Sequence, residues 1–222
     1  MDRGAAVKYS VVMFDLDGTL TDPKEGITRS VQYALEKCGI SVSNRDDLIP
    51  FIGPPLKDSF RSFYSMSDEE AVKAVAYYRE YFGVTGLYEN RVYPGIRELL
   101  AELTFQGCIN LVVTSKPTVY AQKIIAYFDL CGYFDAVIGS NMDLTMTDKS
   151  DLVASARSQY PDIPIEQFVM IGDRMHDIIG ARKNNIASIG VLWGYGGVQE
   201  LIESRSDHFA EDISVLQKLL SS

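Results

Sequence analysis

Short apolar segments, separated by stretches with helical spacing, restrict the fold of this chain more than any other feature of its sequence. Strands of a parallel sheet covered by helices on both faces are apolar on both sides, so they read as short continuous apolar runs. Such runs predict strands at residues 10–14, 109–113, 136–138, 168–171 and 187–191, with a shorter one at 208–210. The sequence therefore predicts an α/β fold, with a Rossmann-like parallel sheet core and helices on both faces.

Composition narrows the possible partners. The chain has 222 residues, and its formal net charge of -9 comes from 30 acidic against 21 basic residues. No basic run is present, so we expect no nucleic acid polymer as a partner, and an anionic ligand would need a metal or a few placed cations. We also expect no membrane span, no signal peptide, a cytoplasmic location and a monomer or homodimer. The three cysteines are scattered, which predicts reduced, buried thiols.

A long helical interval separates the first predicted strand from the second. Residues 56–64 and 67–82 have helical spacing, and Ser67 and Glu70 form a capping-box pattern. One crossover helix needs much less chain than this. We therefore predict a small helical cap domain at 23–90, inserted into a core domain formed by 1–22 and 91–222. Residues 83–90 are predicted to be the returning linker.

Two carboxylates follow the first strand directly, in the segment Asp15-Leu16-Asp17-Gly18-Thr19. Side chains two residues apart on a strand share a face, and adjacent carboxylates repel unless a cation or proton lies between them. The pattern suits a nucleophile and metal ligand at Asp15 and an acid/base at Asp17. A turn with two solvated aspartates is the alternative; a calcium loop fits poorly, because its terminal glutamate is missing.

A second pair of acids follows the strand predicted at 168–171. Asp173 and Asp177 are four residues apart and lead into a helical pattern, so they are expected on one face. Acids at a helix start also suit the helix dipole without any further role. A second acidic strand end favours a shared cation, and carboxylate oxygens are the ligands that Mg2+ prefers.

Two further polar sites lie after predicted strands. Thr114 and Ser115 end the strand at 109–113, where a hydroxyl and free N–H groups can hold phosphate oxygens. They would equally suit an ordinary N-cap, with Pro117 in the first helical turn. Lys149 lies at a helix start after the strand at 136–138. It could offset the charge of a phosphate beside Asp15.

Other polar and aromatic residues point to structure more than to chemistry. We expect His176 near the surface or behind the site, and His208 in a structural role. The loop beginning at Trp193 lacks the ending of a phosphate-binding loop and is expected beside the site. The tyrosines of the helical interval, such as Tyr78, are expected in its core. Specificity would come from cap residues, for which Lys24, Lys57 and Arg61 are polar candidates.

Together, Asp15-x-Asp17-Gly18-Thr19, Thr114, Lys149 and Gly172-Asp173-x-x-x-Asp177 resemble the four motifs of the haloacid dehalogenase superfamily. Their order and spacing agree over nearly the whole chain. The helical interval is similar to the C1 cap of the phosphoglycolate phosphatase-like subgroup. Finer features, including 51–56, 86–95 and 172–178, resemble a bacterial 5′-nucleotidase-like branch of that subgroup.

The resemblance implies a phosphatase of small phosphorylated metabolites that uses Mg2+. Asp15 would attack the phosphorus and form an aspartyl-phosphate, and Asp17 would protonate the leaving alcohol and then activate water. The resemblance places the metal on Asp15, Asp17 through its backbone carbonyl, Asp173 and Asp177. It places phosphate oxygens on Gly18, Thr114, Ser115 and Lys149. An aspartate two residues after the nucleophile favours phosphoryl chemistry over dehalogenation.

Several substrates and one other reaction remain open at this stage. A nucleoside monophosphate and phosphoglycolate are both compatible with the motifs. A phosphomutase similar to β-phosphoglucomutase has the same motifs and a similar cap. A non-enzymatic module that binds a phosphorylated ligand is a further alternative, although every catalytic position is filled.

Overall fold

The computed structural model describes residues 7–221, which form a six-stranded sheet, a two-stranded pair and the surrounding helices. The strands are β1 (Val11–Phe14), β2 (Thr21–Asp22), β3 (Arg91–Val92), β4 (Ile109–Pro117), β5 (Ala136–Ser140), β6 (Phe168–Gly172), β7 (Ala187–Val191) and β8 (His208–Ala210). The α-helices are α1 (Lys24–Lys37), α2 (Leu56–Tyr64), α3 (Asp68–Tyr81), α4 (Ile96–Phe105), α5 (Thr118–Tyr127), α6 (Lys149–Ser158), α7 (Met175–Lys183), α8 (Val198–Glu203) and α9 (Ile213–Leu220). Between residues 7 and 221, no helix is both long enough and apolar enough to cross a membrane.

The large sheet has the strand order β5–β4–β1–β6–β7–β8, and every neighbouring pair is parallel. In the centre, Val11 of β1 lies opposite Ile109 of β4 on one side and Phe168 of β6 on the other. The chain leaves β1 toward one edge and later returns to build the other, so the carboxyl ends of these three strands border a topological switch point. The predicted α/β fold with a parallel sheet core is confirmed.

The central strand supplies apolar side chains to both faces of the sheet. Val11 and Met13 belong to an apolar layer that includes residues of α6 and α7. Val12 and Phe14 belong to the opposite layer, which includes residues of α4, α5 and α9. All four side chains are fully buried. Because both faces are covered, polar chemistry is restricted to the ends of the strands.

The helical segment begins and ends at one antiparallel pair of short strands. In this pair, Asp22 of β2 lies opposite Arg91 of β3, and α1, α2 and α3 lie between them in the chain. Helix α3 starts at the predicted capping box, in which Ser67 and Glu70 bond to each other's backbone N–H groups. Helix α1 packs against α3, and α2 packs against α3. The chain thus enters and leaves the helical segment at one place beside β1.

Two parts of this segment differ from the prediction. A 3-10 helix at Arg45–Phe51 precedes α2, where no element was predicted. A π-helical turn at Phe82–Gly86 follows α3, although residues 83–90 were predicted to be a linker. The turn packs closely on α1: a Cβ added at Gly26 would lie 1.9 Å from the Gly86 carbonyl oxygen. Such close backbone approach is a tertiary effect that local spacing does not reveal.

Strand β4 is longer than predicted and ends at Pro117 rather than at residue 113. Its pairing with β5 shifts between Thr114 and Pro117. Helix α5 therefore begins at Thr118, and Pro117 occupies its N-cap position without a side-chain cap. The alternative of an N-cap hydroxyl at Thr114 or Ser115 is wrong, because both residues still belong to the strand.

The cysteines lie in three different environments. Cys108 is buried, Cys38 is half-buried and Cys131 is exposed, and all three are free thiols. The prediction of buried thiols therefore holds only for Cys108.

Candidate active site

The first strand delivers Asp15 to the carboxyl edge of the sheet. Asp15 continues the Val11 and Met13 side of β1, which faces α6 and α7. Its backbone N–H donates to the Ile171 carbonyl oxygen of β6 at 2.9 Å, which extends the ladder past the last residue of the strand. The Asp15 side chain is only 4% exposed. A carboxylate is thus held rigidly at the point where three strands end.

Lys149 from the first turn of α6 lies directly beside this carboxylate. Its Nζ donates to Asp15 Oδ1 at 2.8 Å and to the Val113 carbonyl oxygen at 3.0 Å. It also lies 2.7 Å from Asp177 Oδ1. Burial alone would lower the pKa of Lys149, but the two carboxylates outweigh it and raise that pKa, so the ammonium group stays charged. The structure brings this predicted cation to the predicted nucleophile.

Three buried carboxylates form a compact cluster at this edge. Oxygen atoms of Asp15, Asp173 and Asp177 all lie within 4.8 Å of one another. Burial, followed by the charges of Asp15 and Asp177, raises the pKa of Asp173 well above its ordinary value. Asp177 Oδ1 lies beside the Lys149 ammonium group, which offsets only part of the negative charge of the three acids. An all-oxygen donor set with excess negative charge fits a divalent cation such as Mg2+.

The surrounding backbone leaves just enough space for Asp173. A Cβ added at Gly18 would lie 2.3 Å from Asp173 Oδ2, and one added at Gly194 would lie 2.3 Å from Asp173 Cβ. Gly18 also has a φ of +86°, which non-glycine residues rarely adopt. Its N–H donates to the Thr21 carbonyl oxygen at 2.8 Å, so the predicted phosphate contact of Gly18 stays a prediction. Here Gly18 makes room for the acidic cluster.

The loop after β7 holds Asp173 from the other side. The Tyr195 N–H donates to Asp173 Oδ2 at 2.7 Å, and the Tyr195 hydroxyl donates to Asp22 Oδ1. Trp193 Nε1 donates to the Thr19 carbonyl oxygen at 3.1 Å. This loop lies beside the site, as the sequence predicted, and it links Asp173 to the β2–β3 pair.

Asp17 occupies a separate position from the acidic cluster. Asp17 Oδ2 lies 2.7 Å from Lys116 Nζ, and both side chains are less than a tenth exposed. Asp17 Oδ1 is buried and accepts no hydrogen bond from the described residues. Burial raises the pKa of Asp17, Lys116 opposes this shift, and the charge of Asp15 adds to it. A raised pKa suits a group that must give and take a proton near neutral pH.

Lys116 is the main site residue that the sequence analysis missed. It lies in β4, two residues after Thr114, at the same edge of the sheet as the predicted site. Its position after a predicted strand was a usable signal, but the sequence did not indicate which acid it would meet. The structure thus gives each of Asp15 and Asp17 its own buried lysine.

Thr114 and Ser115 lie beside Lys116 at the end of β4. Thr114 is 2% exposed, and its Oγ1 accepts from the Lys116 N–H at 3.3 Å. The Ser115 carbonyl oxygen accepts from Ser140 Oγ at 2.8 Å. Both residues border the cavity beside Asp15. Their predicted contacts to phosphate stay predictions.

A cavity of about 250 Å³ extends from these aspartates toward the helical segment. Its apolar lining residues are Ile27, Phe51, Leu56, Val75, Tyr78, Phe82, Tyr120 and Leu144. Of the three polar candidates for specificity, only Lys57 borders this cavity, and its Nζ is paired with Asp68 at 2.7 Å. Arg61 is also paired with Asp68, and Lys24 is paired with Asp46. Tyr78 is buried in the segment's core, as predicted, and also lines the cavity.

Comparison with known protein families identifies the family of this chain. A sequence model described as haloacid dehalogenase-like hydrolase matches residues 12–191, most of the chain. The chain belongs to this family. The match runs from β1, which directly precedes Asp15, to the end of β7, beyond Asp173 and Asp177. The predicted membership of the haloacid dehalogenase superfamily is confirmed.

Relatives of this hydrolase carry nucleotidase, phosphatase and kinase names, and the chain spans 63% of the length of the curated Mycobacterium tuberculosis kinase. A Pseudomonas aeruginosa protein named 5'-nucleotidase is 46% identical over 220 residues, which cover 99% of each chain. A crystal structure described as a predicted phosphatase from Clostridium acetobutylicum is 45% identical, with a TM-score of 0.92 over 95% of this chain and 97% of that one. The structure of Mycobacterium tuberculosis protein tyrosine kinase A is 33% identical, with a TM-score of 0.84 over 97% and 99% of the two chains.

Proposed function

We propose that this hydrolase is a Mg2+-dependent phosphatase that cleaves small phosphate monoesters through an aspartyl-phosphate on Asp15. The observation that carries the proposal is the arrangement of two aspartates with separate partners. Asp15 lies beside Lys149 and the acidic cluster, whereas Asp17 lies outside the cluster beside Lys116. This arrangement supports attack by Asp15 and proton transfer by Asp17. The phosphatase names of two full-length relatives support the same chemistry.

The first half-reaction transfers the phosphoryl group to the enzyme. A carboxylate oxygen of Asp15 forms a bond to phosphorus while the bond from phosphorus to the ester oxygen breaks. Asp17 donates its proton to the departing oxygen, so an alcohol leaves. Lys149 stays beside Asp15 and offsets negative charge on the phosphoryl oxygens. Mg2+, when bound by Asp15, Asp173, Asp177 and the Asp17 carbonyl, would neutralise further charge and orient the phosphate.

The second half-reaction restores the enzyme. Asp17, now ionised, accepts a proton from a water molecule, and the water oxygen attacks the phosphorus of the aspartyl-phosphate. The bond between phosphorus and the Asp15 oxygen breaks, which releases inorganic phosphate and the free carboxylate. Asp17 thus returns to its protonated state, and both aspartates are ready for another ester.

The cavity beside Asp17 favours a nucleoside as the leaving group. Polar and apolar side chains line it in about equal share, and the apolar ones include the neighbouring rings of Tyr78, Phe82 and Tyr120. Phosphoglycolate would bring a second negative charge to this wall. Lys57 and Lys116 are already paired with Asp68 and Asp17, and Arg79 keeps its charge while it donates to the Met142 carbonyl oxygen at 2.7 Å. The aromatic rings suit a neutral, flat nucleobase better than a carboxylate.

Phosphate release from a substrate panel tests the proposal. We expect release from p-nitrophenyl phosphate and from nucleoside 5′-monophosphates with Mg2+, none with excess chelator, and slower release from phosphoglycolate. Asp15→Asn should lower kcat by at least about 10⁴-fold, because it removes the nucleophile. Asp162→Asn is the matched control, because Asp162 is an exposed aspartate in the turn that precedes β6. Substantial turnover by a folded Asp15→Asn protein would contradict the mechanism.

The same substrate panel distinguishes a phosphatase from the two other functions that the sequence left open. A phosphomutase would convert a sugar phosphate in the presence of its bisphosphate and release little phosphate. In a protein that only binds phosphorylated ligands, the ligand would raise the Tm but no phosphate would be released. We propose a small phosphorylated metabolite as the partner, with the chain acting as a monomer or homodimer.

A further inference from the structure

Lys116 is a buried cation with a single carboxylate partner. Its Nζ lies 2.7 Å from Asp17 Oδ2, and within residues 7–221 no other carboxylate lies within ion-pair distance of it. The backbone around it is fixed, because its N–H donates to Thr114 Oγ1 and Pro117 follows in the same strand. Burying an ammonium group costs desolvation free energy, which only a well-placed partner such as Asp17 offsets.

The other side of this ammonium group rests on an aromatic ring. Nζ lies 4.3 Å from the centre of the Phe82 ring. Phe82 stacks on Tyr78 and meets Tyr120 edge-on, with ring centres 5.1 and 5.4 Å apart. Cations are attracted to aromatic faces, and more strongly when they are removed from water. Lys116 is therefore held between Asp17 and a packed aromatic group, so it cannot move away without losing both contacts.

The two oxygens of Asp17 differ because of this contact. Oδ2 is bound to Lys116, whereas Oδ1 is buried and accepts no hydrogen bond from the described residues. The torsion that turns an aspartate carboxyl group is broad, so the group rotates easily unless one oxygen is held. Proton transfer needs heavy atoms about 2.6–3.2 Å apart. Holding Oδ2 therefore determines where Oδ1 points.

We propose that Lys116 is a positioning residue for Asp17: by holding Oδ2, it fixes the orientation in which the carboxyl group transfers its proton to the oxygen of the leaving group. This inference rests on the proposed acid/base role of Asp17. It gives the two lysines different tasks: Lys149 acts on the nucleophile and the phosphoryl group, and Lys116 acts through Asp17 on the leaving alcohol. The contact with Phe82 also ties this positioning to the helical segment, since Phe82 follows α3 whereas Lys116 belongs to the sheet.

The proposal predicts a dependence on the leaving group. An alkyl alcohol leaves poorly as its anion and needs the proton from Asp17. p-Nitrophenol leaves readily as its anion and needs that proton much less. Loss of correct positioning should therefore harm the hydrolysis of an alkyl phosphate more than that of p-nitrophenyl phosphate. A change that only loosens the fold would harm both alike.

The test compares kcat/KM for glycerol 2-phosphate and p-nitrophenyl phosphate, because kcat/KM reports the steps up to loss of the alcohol. Lys116→Met keeps an unbranched chain against Phe82 but removes the charge. We expect it to lower kcat/KM by about 100-fold for the glycerol ester and by about tenfold or less for the nitrophenyl ester. Lys123→Met, at an exposed lysine on α5, is the matched control.

Asp17→Asn provides the reference. It should show the same preference for the nitrophenyl ester, with a larger loss. Lys116→Gln keeps a neutral donor near Asp17 and replaces Lys116→Met if that variant does not fold. Equal losses on both esters, with Asp17→Asn still selective, would overturn the role of Lys116 alone. If Asp17→Asn is not selective either, the acid role of Asp17 fails and the inference fails with it.

Discussion

Asp173 shows how strongly one side chain can determine its neighbours. It is fully buried, its pKa is raised by burial and by two nearby acids, and glycines stand on both sides of it. Gly18 and Gly39 have nearly the same φ, +86° and +80°. A Cβ at Gly18 would strike Asp173, whereas a Cβ at Gly39 would meet nothing within 4 Å. Substitutions at these two glycines therefore distinguish the effect of backbone strain from the effect of a clash with Asp173.

We predict different outcomes for Gly18→Ala and Gly39→Ala. Both should lose about 1–2 kcal/mol of unfolding free energy, because alanine is strained at positive φ. Only Gly18→Ala should also displace Asp173 and lower kcat/KM for phosphate release by about tenfold or more. Thermal unfolding and phosphate release measure the two effects. Equal activity in both variants would show that Asp173 tolerates the displacement.

Asp22 gives the fold a defined response to acid. Burial alone would raise its pKa, but hydrogen bonds from Tyr195 and Arg91 outweigh this and hold the pKa below its ordinary value. Its carboxylate therefore stabilises the fold above the unfolded pKa of about 3.9, and that contribution is lost as pH falls through the lower folded value. The Tm difference between wild type and Asp22→Asn should be largest near pH 6 and shrink toward pH 3. A difference that does not change with pH would contradict this.

Helix α7 and the helical segment are joined through one arginine. Arg174, just before α7, donates to the Ile52 carbonyl oxygen, and its Nε donates to Glu200 Oε1 at 2.9 Å. Gly53 packs against its side chain, since an added Cβ would lie 2.8 Å from Arg174 Cγ. This contact joins the loop that carries Asp173 to the loop that precedes α2. The position of the helical segment is thus linked to the acidic cluster.

Removing this contact should loosen the loop before α2. In Arg174→Met, hydrogen exchange at the Phe51, Ile52, Gly53 and Leu56 amides should become about tenfold faster or more, since a hydrogen bond from a charged donor is worth about 1.5–3 kcal/mol. Arg182→Met, at an exposed arginine on α7 that donates to the Ser204 carbonyl oxygen, is the control. Unchanged exchange at 50–56 would mean that packing alone holds the loop.

Most elements of the sheet, and the polar residues at its carboxyl edge, follow from local patterns. Each strand end is marked by an apolar run and a polar stop, so Asp15, Thr114 and Asp173 could be placed at one edge before the fold was known. The pairing of Lys116 with Asp17 could not, because it depends on how far β4 extends and on the ring of Phe82. These are contacts between segments distant in sequence, on which periodicity carries no information.

At the scale of the whole molecule, the site carries an excess of negative charge. Its three clustered aspartates (Asp15, Asp173 and Asp177) face one lysine, Lys149. A divalent cation that binds only the folded chain should therefore stabilise it. At about 100 times its Kd, Mg2+ should add about 2.7 kcal/mol, or roughly 5–10 °C in Tm.

This stabilisation is measurable without any substrate. Thermal unfolding with increasing Mg2+ should show the Tm shift in the wild type and in the surface variant Asp162→Asn. Asp173→Asn should lose most of the shift, because it removes a carboxylate from the cluster. The same Mg2+ response in Asp173→Asn would place the cation elsewhere on the protein.

The β2–β3 pair makes the helical segment a replaceable module. Because Asp22 lies directly opposite Arg91, the two chain connections between the sheet core and the helical segment lie side by side, whatever length of chain joins them. The entropy of closing a longer or shorter connection changes slowly with its length. We therefore expect insertions and deletions between these strands to leave β1, β4 and β6 in register. They would reshape the cavity, and they would disturb the core only where the segment contacts it, as Phe82 does at Lys116 and Ile52 at Arg174.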